Sequence, residues 1–381
     1  MPISFASPAG RARALAACLA ALFAAAATPA LAADRAKDLA AFKTEVEQYR
    51  RDRSVLSLSY AIVMDGRIVA AEGIGWQDHD GEEPTTADTT YLVASITKTF
   101  TGATLLAMDA DGVIDLDDAF TSLSDWPERC AWLVSSGIVF GGGKPLDDGH
   151  VPPKLDCDAR ITVRQVLQMR VLGEPGTHFL YNPIVFGRLA NWVQEKTGKP
   201  FEHWVRRYVI DKAGLDDVAA GWRDARGGAA LLRLAPPFRH AKEEADNLAA
   251  SALPNPEMNA SSGIIASARS LATYSLALDQ GKILPAALCE TMWTPPKEAD
   301  GKPASYAHGW WVQRWRGRRV VWHGGWWPDA YAGLLLKVPD EGLTLVLLGN
   351  TDGLHWPNRL QVAEVEKHPL ALAFLERFVT K

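Results

Sequence analysis

The chain has 381 residues, 48% of them hydrophobic and 22% charged, with a formal net charge of -5. That is ample for a large core and more than one structural lobe. The mild acidity argues against a nucleic-acid binder, which would show a basic excess, and no repeat or low-complexity tract is present.

The first feature along the chain is a leader. Arg11 and Arg13 precede an apolar run over residues 14–27, followed by Pro29 and Ala30-Leu31-Ala32. A positive start, a short hydrophobic stretch and an A-x-A site form the pattern of a secretory signal peptide. Cleavage after Ala32 predicts a periplasmic or secreted product. The run is too short and alanine-rich for a membrane span, so no stable membrane anchor is expected.

Residues 33–50 read as an amphipathic helix. Residues 56–64 and 67–75 read as strands around the hairpin signal Asp65-Gly66. A helix over 95–110 stops at Gly112, where glycine accepts the left-handed conformation. Residues 116–262 are loop-rich and helical, with helices predicted over 161–169 and 185–197, the second ending at Gly198. A helix over 267–278 precedes Gly281. Strands follow over 309–315 and 318–323 around Arg316-Gly317, then over 331–338 and 343–349. A final helix starts near Gln361 and is predicted to bend at Pro369.

Strands at both chain ends with helices between predict an α+β fold, an antiparallel sheet built from both termini, with flanking helices and a mostly helical inserted lobe. The domain reading is a leader at 1–32 and one domain at 33–381. Within it, 33–115 and 263–381 form an α/β lobe and 116–262 a helical lobe.

Past the leader the cysteines are Cys130, Cys157 and Cys289. An oxidising compartment permits a disulfide. Cys130 and Cys157 bracket a Gly- and Pro-rich stretch and are the natural pair, with Cys289 left over. Three buried thiols are the alternative that the odd count leaves open. His79, His150, His178 and His240 lack metal-ligand spacing, and no G-x-S-x-G occurs, which removes the α/β-hydrolase elbow.

The chemistry-bearing pattern is Ser95-Ile96-Thr97-Lys98. Residues three apart on a helix share a face, and a serine hydroxyl needs a neighbouring base to become a nucleophile. Lysine can be that base only when neutral, which requires desolvation or nearby positive charge. Alone, S-x-x-K is a weak pattern that favours a capping serine with a surface lysine. Its context is more specific. Residues 88–100 resemble the first motif of the class C β-lactamase family, which includes penicillin-binding carboxypeptidases, D-amino-acid peptidases and serine esterases. Residues 112–118 resemble the family's segment after that motif, and 161–167 the helix leading to its second motif. Trp322-His323-Gly324-Gly325 resembles the third motif, and Gly349-Asn350 the strand end beyond it.

The resemblance implies a β-lactamase/transpeptidase-like fold and a serine hydrolase acting through an acyl-enzyme on Ser95. Lys98 and Tyr181 would be its proton-transfer partners. His323, Gly325 and Trp326 would be substrate-binding residues, with the Ser95 and Trp326 N–H groups as an oxyanion hole. His323 would donate a hydrogen bond or partial charge toward the substrate. The second motif, Tyr-x-Asn, reads Tyr181-Asn182-Pro183 here, so the family asparagine is replaced by Pro183. That departure and the histidine of the third motif favour esters or D-amino-acid peptides and amides. A true β-lactamase or D-alanyl-D-alanine carboxypeptidase, and a non-catalytic binding protein on the same fold, are the alternatives. Trp326 and Trp327 would wall an apolar acyl or aryl pocket. The expected partner is a small molecule or short peptide; no metal or organic cofactor is expected.

Overall fold

The computed structural model describes residues 29–241, 244–254 and 257–380. Residues 1–28, most of the expected leader, lie outside them. A long first helix, α1 (Pro29–Asp52), leads into strands β1 (Ser57–Met64) and β2 (Arg67–Gly75). The turn between them places Asp65 and Gly66 at φ +51° and +70°, the left-handed pair that a tight hairpin demands. The short strand β3 (Thr90–Leu92) precedes helix α2 (Thr97–Ala110).

The middle of the chain holds α3 (Trp126–Ser135), α4 (Val163–Leu167), α5 (Pro183–Gly187) and α6 (Leu189–Thr197), then β4 (Ala219–Ala220) and the hairpin β5 (Phe238–Ala241) and β6 (Glu244–Ala250). After β7 (Ile264–Ser267) and the helices Ala268–Asp279 and Ala286–Trp293 come β8 (Trp311–Trp315), β9 (Arg318–Trp327), β10 (Tyr331–Val338) and β11 (Leu343–Gly349). The helix Pro369–Phe378 follows.

One six-stranded sheet runs in the order β2-β1-β11-β10-β9-β8, antiparallel throughout, so the N-terminal hairpin docks on the last strand. The near-continuous apolar runs of β10 and β11 place them centrally, buried along their whole length, while β2 is the half-exposed edge. Tyr60 meets Phe42 of α1, and Phe42 meets Phe374 and Phe378 of the last helix. The opposite face is covered by Ala268–Asp279. There Ser275 hydrogen-bonds Thr344, and the buried Lys337 pairs with Asp279 at 2.9 Å. Smaller sheets join β3-β7-β4 and β5-β6. Among the described residues, no helix is long and apolar enough to cross a membrane.

Several elements differ from expectation. The predicted helix over 161–169 is only α4, started by a capping box between Thr162 and Gln165. The one over 185–197 is two helices meeting at Arg188. Strand β9 runs four residues past its predicted end, through Trp327. The last helix begins at Pro369, which fills the first-turn position where no N–H is needed. The hairpin β5-β6 was not foreseen.

Cys130 and Cys157 form a disulfide, and Cys289 is free and buried. The bridge closes a loop spanning 27 positions that includes Phe140 and the three glycines 141–143. Replacing both bridged cysteines by serine is expected to lower the unfolding free energy by about 3 kcal/mol, measurable as a lower urea midpoint.

Candidate active site

Ser95 sits in a 3-10 turn, Ala94–Ile96, between β3 and α2. Backbone and side chain lock this turn. Val93 N–H donates to Ile264 O at 3.0 Å, Ile264 N–H donates to Thr97 Oγ1 at 3.2 Å, and Thr101 Oγ1 donates to Ala260 O at 2.7 Å. Ala94 is held at φ +45°, a region costly for any residue with a Cβ. From the other side strand β9 presses on the turn. A Cβ on Gly325 would lie 2.2 Å from Val93 O, so only glycine fits there.

Lys98, one turn on, is wholly buried. Its Nζ donates to Ser95 Oγ at 2.8 Å and to Ser261 O at 3.0 Å. No carboxylate offsets its charge in this contact set, and burial drives its pKa well below 10.5. Tyr181 OH donates to Ser95 Oγ at 3.0 Å, and its ring stacks on Trp311. Burial raises this phenol above its ordinary value. The serine oxygen therefore meets an amine biased toward its free base and a phenol biased toward its acid.

His323 lines the same cavity, but its hydrogen bonds go to Gly324 and Tyr306 and not to Ser95. Its Nδ1–H donates to Gly324 O at 2.7 Å, because a carbonyl can only accept. Nε2 is then the acceptor for Tyr306 OH at 3.2 Å. Burial, and then the nearby lysine, push its pKa well below 6.5. Both ring nitrogens are occupied, so the expected donation toward a substrate is not what this geometry offers. His323 instead fixes the Gly324 backbone and Tyr306.

Asn182 does not substitute for the asparagine missing at Pro183. Its Oδ1 accepts from Val185 N–H, capping α5, and its Nδ2 donates to Phe140 O. Pro183 lines the cavity, and its carbonyl accepts from Ser261 Oγ at 2.6 Å.

These groups open into a cavity of about 440 Å³. Trp326 and Trp327 line it as expected, together with Trp311, Trp322 and Trp356. Trp326 is 45% exposed at the mouth, its indole stacked on His355 at 4.1 Å. The lining residues missed by sequence reasoning include Ser261, Ser262, Phe140, Trp311, Trp322, Trp356 and His355. The small-residue run 259–263 ahead of Ile264-Ile265 was the available signal for the two serines. Among the described residues, no group of His, Cys, Asp or Glu is placed to hold a metal ion.

A family model described as Beta-lactamase matches residues 42–366. The chain is 24% identical over 306 residues to a D-aminopeptidase of Gluconobacter oxydans (strain 621H), covering 76% of this chain and 55% of that protein. It is 25% identical over 175 residues to a β-lactamase of Pseudomonas fluorescens, covering 45% of this chain and 47% of that protein. The chain thus spans about half the length of these relatives. The solved structure of EstCE1, described as a hydrolase with promiscuous acyltransferase activity, matches with a TM-score of 0.64 at 16% identity, covering 90% of this chain and 99% of that one. That likeness is one of fold.

The close approach at Gly325 is testable. Gly325→Ala is expected to destabilise by about 1–3 kcal/mol through overpacking and to displace the Ser95 turn. Gly228→Ala, where nothing lies within 4 Å, is the control. A thermal melt of the two variants, beside wild type, checks it.

Proposed function

The chain belongs to the Beta-lactamase family, and on that premise we propose that it is an exported serine hydrolase. Its Ser95 would form an acyl-enzyme with an ester or with a D-amino-acid peptide or amide. The observation that carries this reading is the buried Lys98 amine 2.8 Å from Ser95 Oγ. Export is supported by the leader pattern of residues 1–32 and by the disulfide.

In this mechanism Lys98 is the base and Tyr181 the acid. Ser95 Oγ attacks the carbonyl carbon as its proton passes to Lys98 Nζ. The new oxyanion is held by the backbone N–H groups of Ser95 and Trp326. As the carbonyl re-forms, the bond to the leaving group breaks, and that group takes a proton from Tyr181 OH; Lys98 resupplies the phenol. Water then attacks the acyl carbon, giving its proton to Lys98; the bond to Ser95 Oγ breaks as Lys98 returns that proton to Oγ, and the acid product departs. The opposite assignment, tyrosinate as base, needs an anion in the site where burial disfavours it most.

The D-aminopeptidase relative and the EstCE1 fold support acyl transfer from amides or esters. Neither a neutral His323 nor Pro183 supplies the cation or amide that would hold the carboxylate of a β-lactam, so a β-lactamase is the less favoured reading.

A fluorophosphonate is expected to label wild type on Ser95 and to leave Ser95→Ala unlabelled, read by mass spectrometry of the peptide. Absence of the adduct, with no turnover of p-nitrophenyl acetate, would rule the proposal out. The active amine is unprotonated, so kcat/KM is expected to rise with pH through the Lys98 pKa. Because burial lowers that pKa, the rise should be complete well below pH 10.5. Lys98→Met should lower kcat by about a thousandfold and abolish this limb. Tyr181→Phe should lower kcat by a smaller factor and leave the limb in place.

A further inference from the structure

The cavity beside Ser95 is defined as much by charge as by shape. Among the described residues that line it there is no arginine, aspartate or glutamate, and Lys98 is the one lysine. That amine is committed to Ser95 Oγ and Ser261 O. The lining histidines are His323, whose two nitrogens are both bonded within the protein, and His355, which is stacked under Trp326. Burial lowers the pKa of both. A charged group entering this space finds no counter-ion, and an unpaired charge is costly to bury.

The aromatic wall does not compensate. A cation can be held over an open ring face, but around Tyr181 the faces are occupied, that of Tyr181 itself by the Lys98 amine, 5.2 Å from its centroid. Trp311 is stacked with both Tyr181 and Trp322, each at 5.4 Å, and Trp322 leans on Trp356. Such a pile presents ring edges sideways, and edges are the electropositive part of an aromatic. Edges repel cations and receive the face of another flat ring. The polar anchor left over is neutral too. Ser262 is part of the lining, and its Oγ, shielded from solvent, has no protein partner among the described residues. Such a hydroxyl awaits a hydrogen-bonding atom from elsewhere.

We infer that this site selects uncharged acyl donors bearing an aromatic group, and discriminates against substrates carrying a free ammonium or carboxylate in the acyl portion. This rests on the reading of Ser95 as an acylating nucleophile, and it narrows that reading from esters and D-amino-acid amides in general to neutral aryl esters and N-blocked amides.

The test compares three p-nitrophenyl esters at one pH: those of phenylacetic, 4-(trimethylammonio)phenylacetic and 4-carboxyphenylacetic acid. They share a leaving group and a ring and differ in charge far from the carbonyl. The neutral ester is expected to exceed each charged one in kcat/KM by about a hundredfold. Phe140→Ala, which removes a ring from the cavity wall, is expected to narrow the preference for phenylacetate over acetate. Equal or better turnover of the cationic ester would mean open ring faces and would overturn the inference. Equal turnover of the carboxylate would reveal a positive group in the cavity and overturn it likewise. A Ser95 adduct without turnover of the neutral ester overturns this inference alone. No adduct and no turnover of any ester removes the hydrolase reading, and this inference with it.

Discussion

A lysine amine held dry beside a serine is the constraint around which the structure is arranged. To keep Lys98 from water, α2 is buried from Thr97 through Met108, and its surroundings must approach at backbone distance. A Cβ on Gly102 would lie 2.1 Å from His308 O, and one on Gly309 2.1 Å from Lys98 O. Those two glycines let the 308–309 segment lie directly on the helix. Burying a threonine-rich first turn then requires partners for its hydroxyls. Thr97, Thr99 and Thr101 find them in Ile264 N–H, Ile96 O and Ala260 O. The polar groups that would make this helix a poor core element thus become the ties that locate it.

The sheet was legible because its signals are local. Tight turns at Asp65-Gly66 and Arg316-Gly317 and unbroken apolar runs in β10 and β11 leave few alternatives. Ser95 and Lys98 were legible for a related reason, since their spacing places both on one helix face. Tyr181 was found through its flanking match, not its own chemistry. The features that stayed hidden depend on contacts between distant segments. The group that orients Lys98 is the carbonyl of Ser261, and a main-chain atom has no signature in composition. The direction of hydrogen bonding at His323 is dictated by Tyr306 and the Gly324 carbonyl, so the histidine's identity said little about its role. Trp311 and Trp322 read as core packing, and both are buried; that they also line the cavity is decided by how β8 and β9 pair. The strands of β5-β6 carry no clean alternation, which is why 238–250 went unnoticed.

The cavity walls come from widely separated parts of the chain: Phe140 within the disulfide loop, Tyr181 and Pro183, Ser261 and Ser262, four tryptophans of β8 and β9, and the segment from His355 to Asn358 with Leu360. Strand β9 explains how they meet. Through Trp322 it pairs with β8; from His323 onward it has no strand partner on that side among the described residues, while β10 still holds it on the other. The freed edge faces the Ser95 turn. One strand therefore serves as sheet interior for half its length and as the margin of the cavity for the other half.

Ala94, at φ +45° immediately before Ser95, has a wider meaning. A non-glycine residue there costs about 1–2 kcal/mol, and it persists because β3, Ile264 and Gly325 leave the turn nowhere else to go. Some of the protein's conformational stability is thereby stored as tension at the residue that aims the serine. Sequence drift toward a more heat-resistant protein has an easy route here, by letting the kink relax. The same relaxation would swing Ser95 Oγ away from the amine. Robustness and reactivity are set against each other at a single backbone angle, and a lineage that keeps the chemistry must keep the tension.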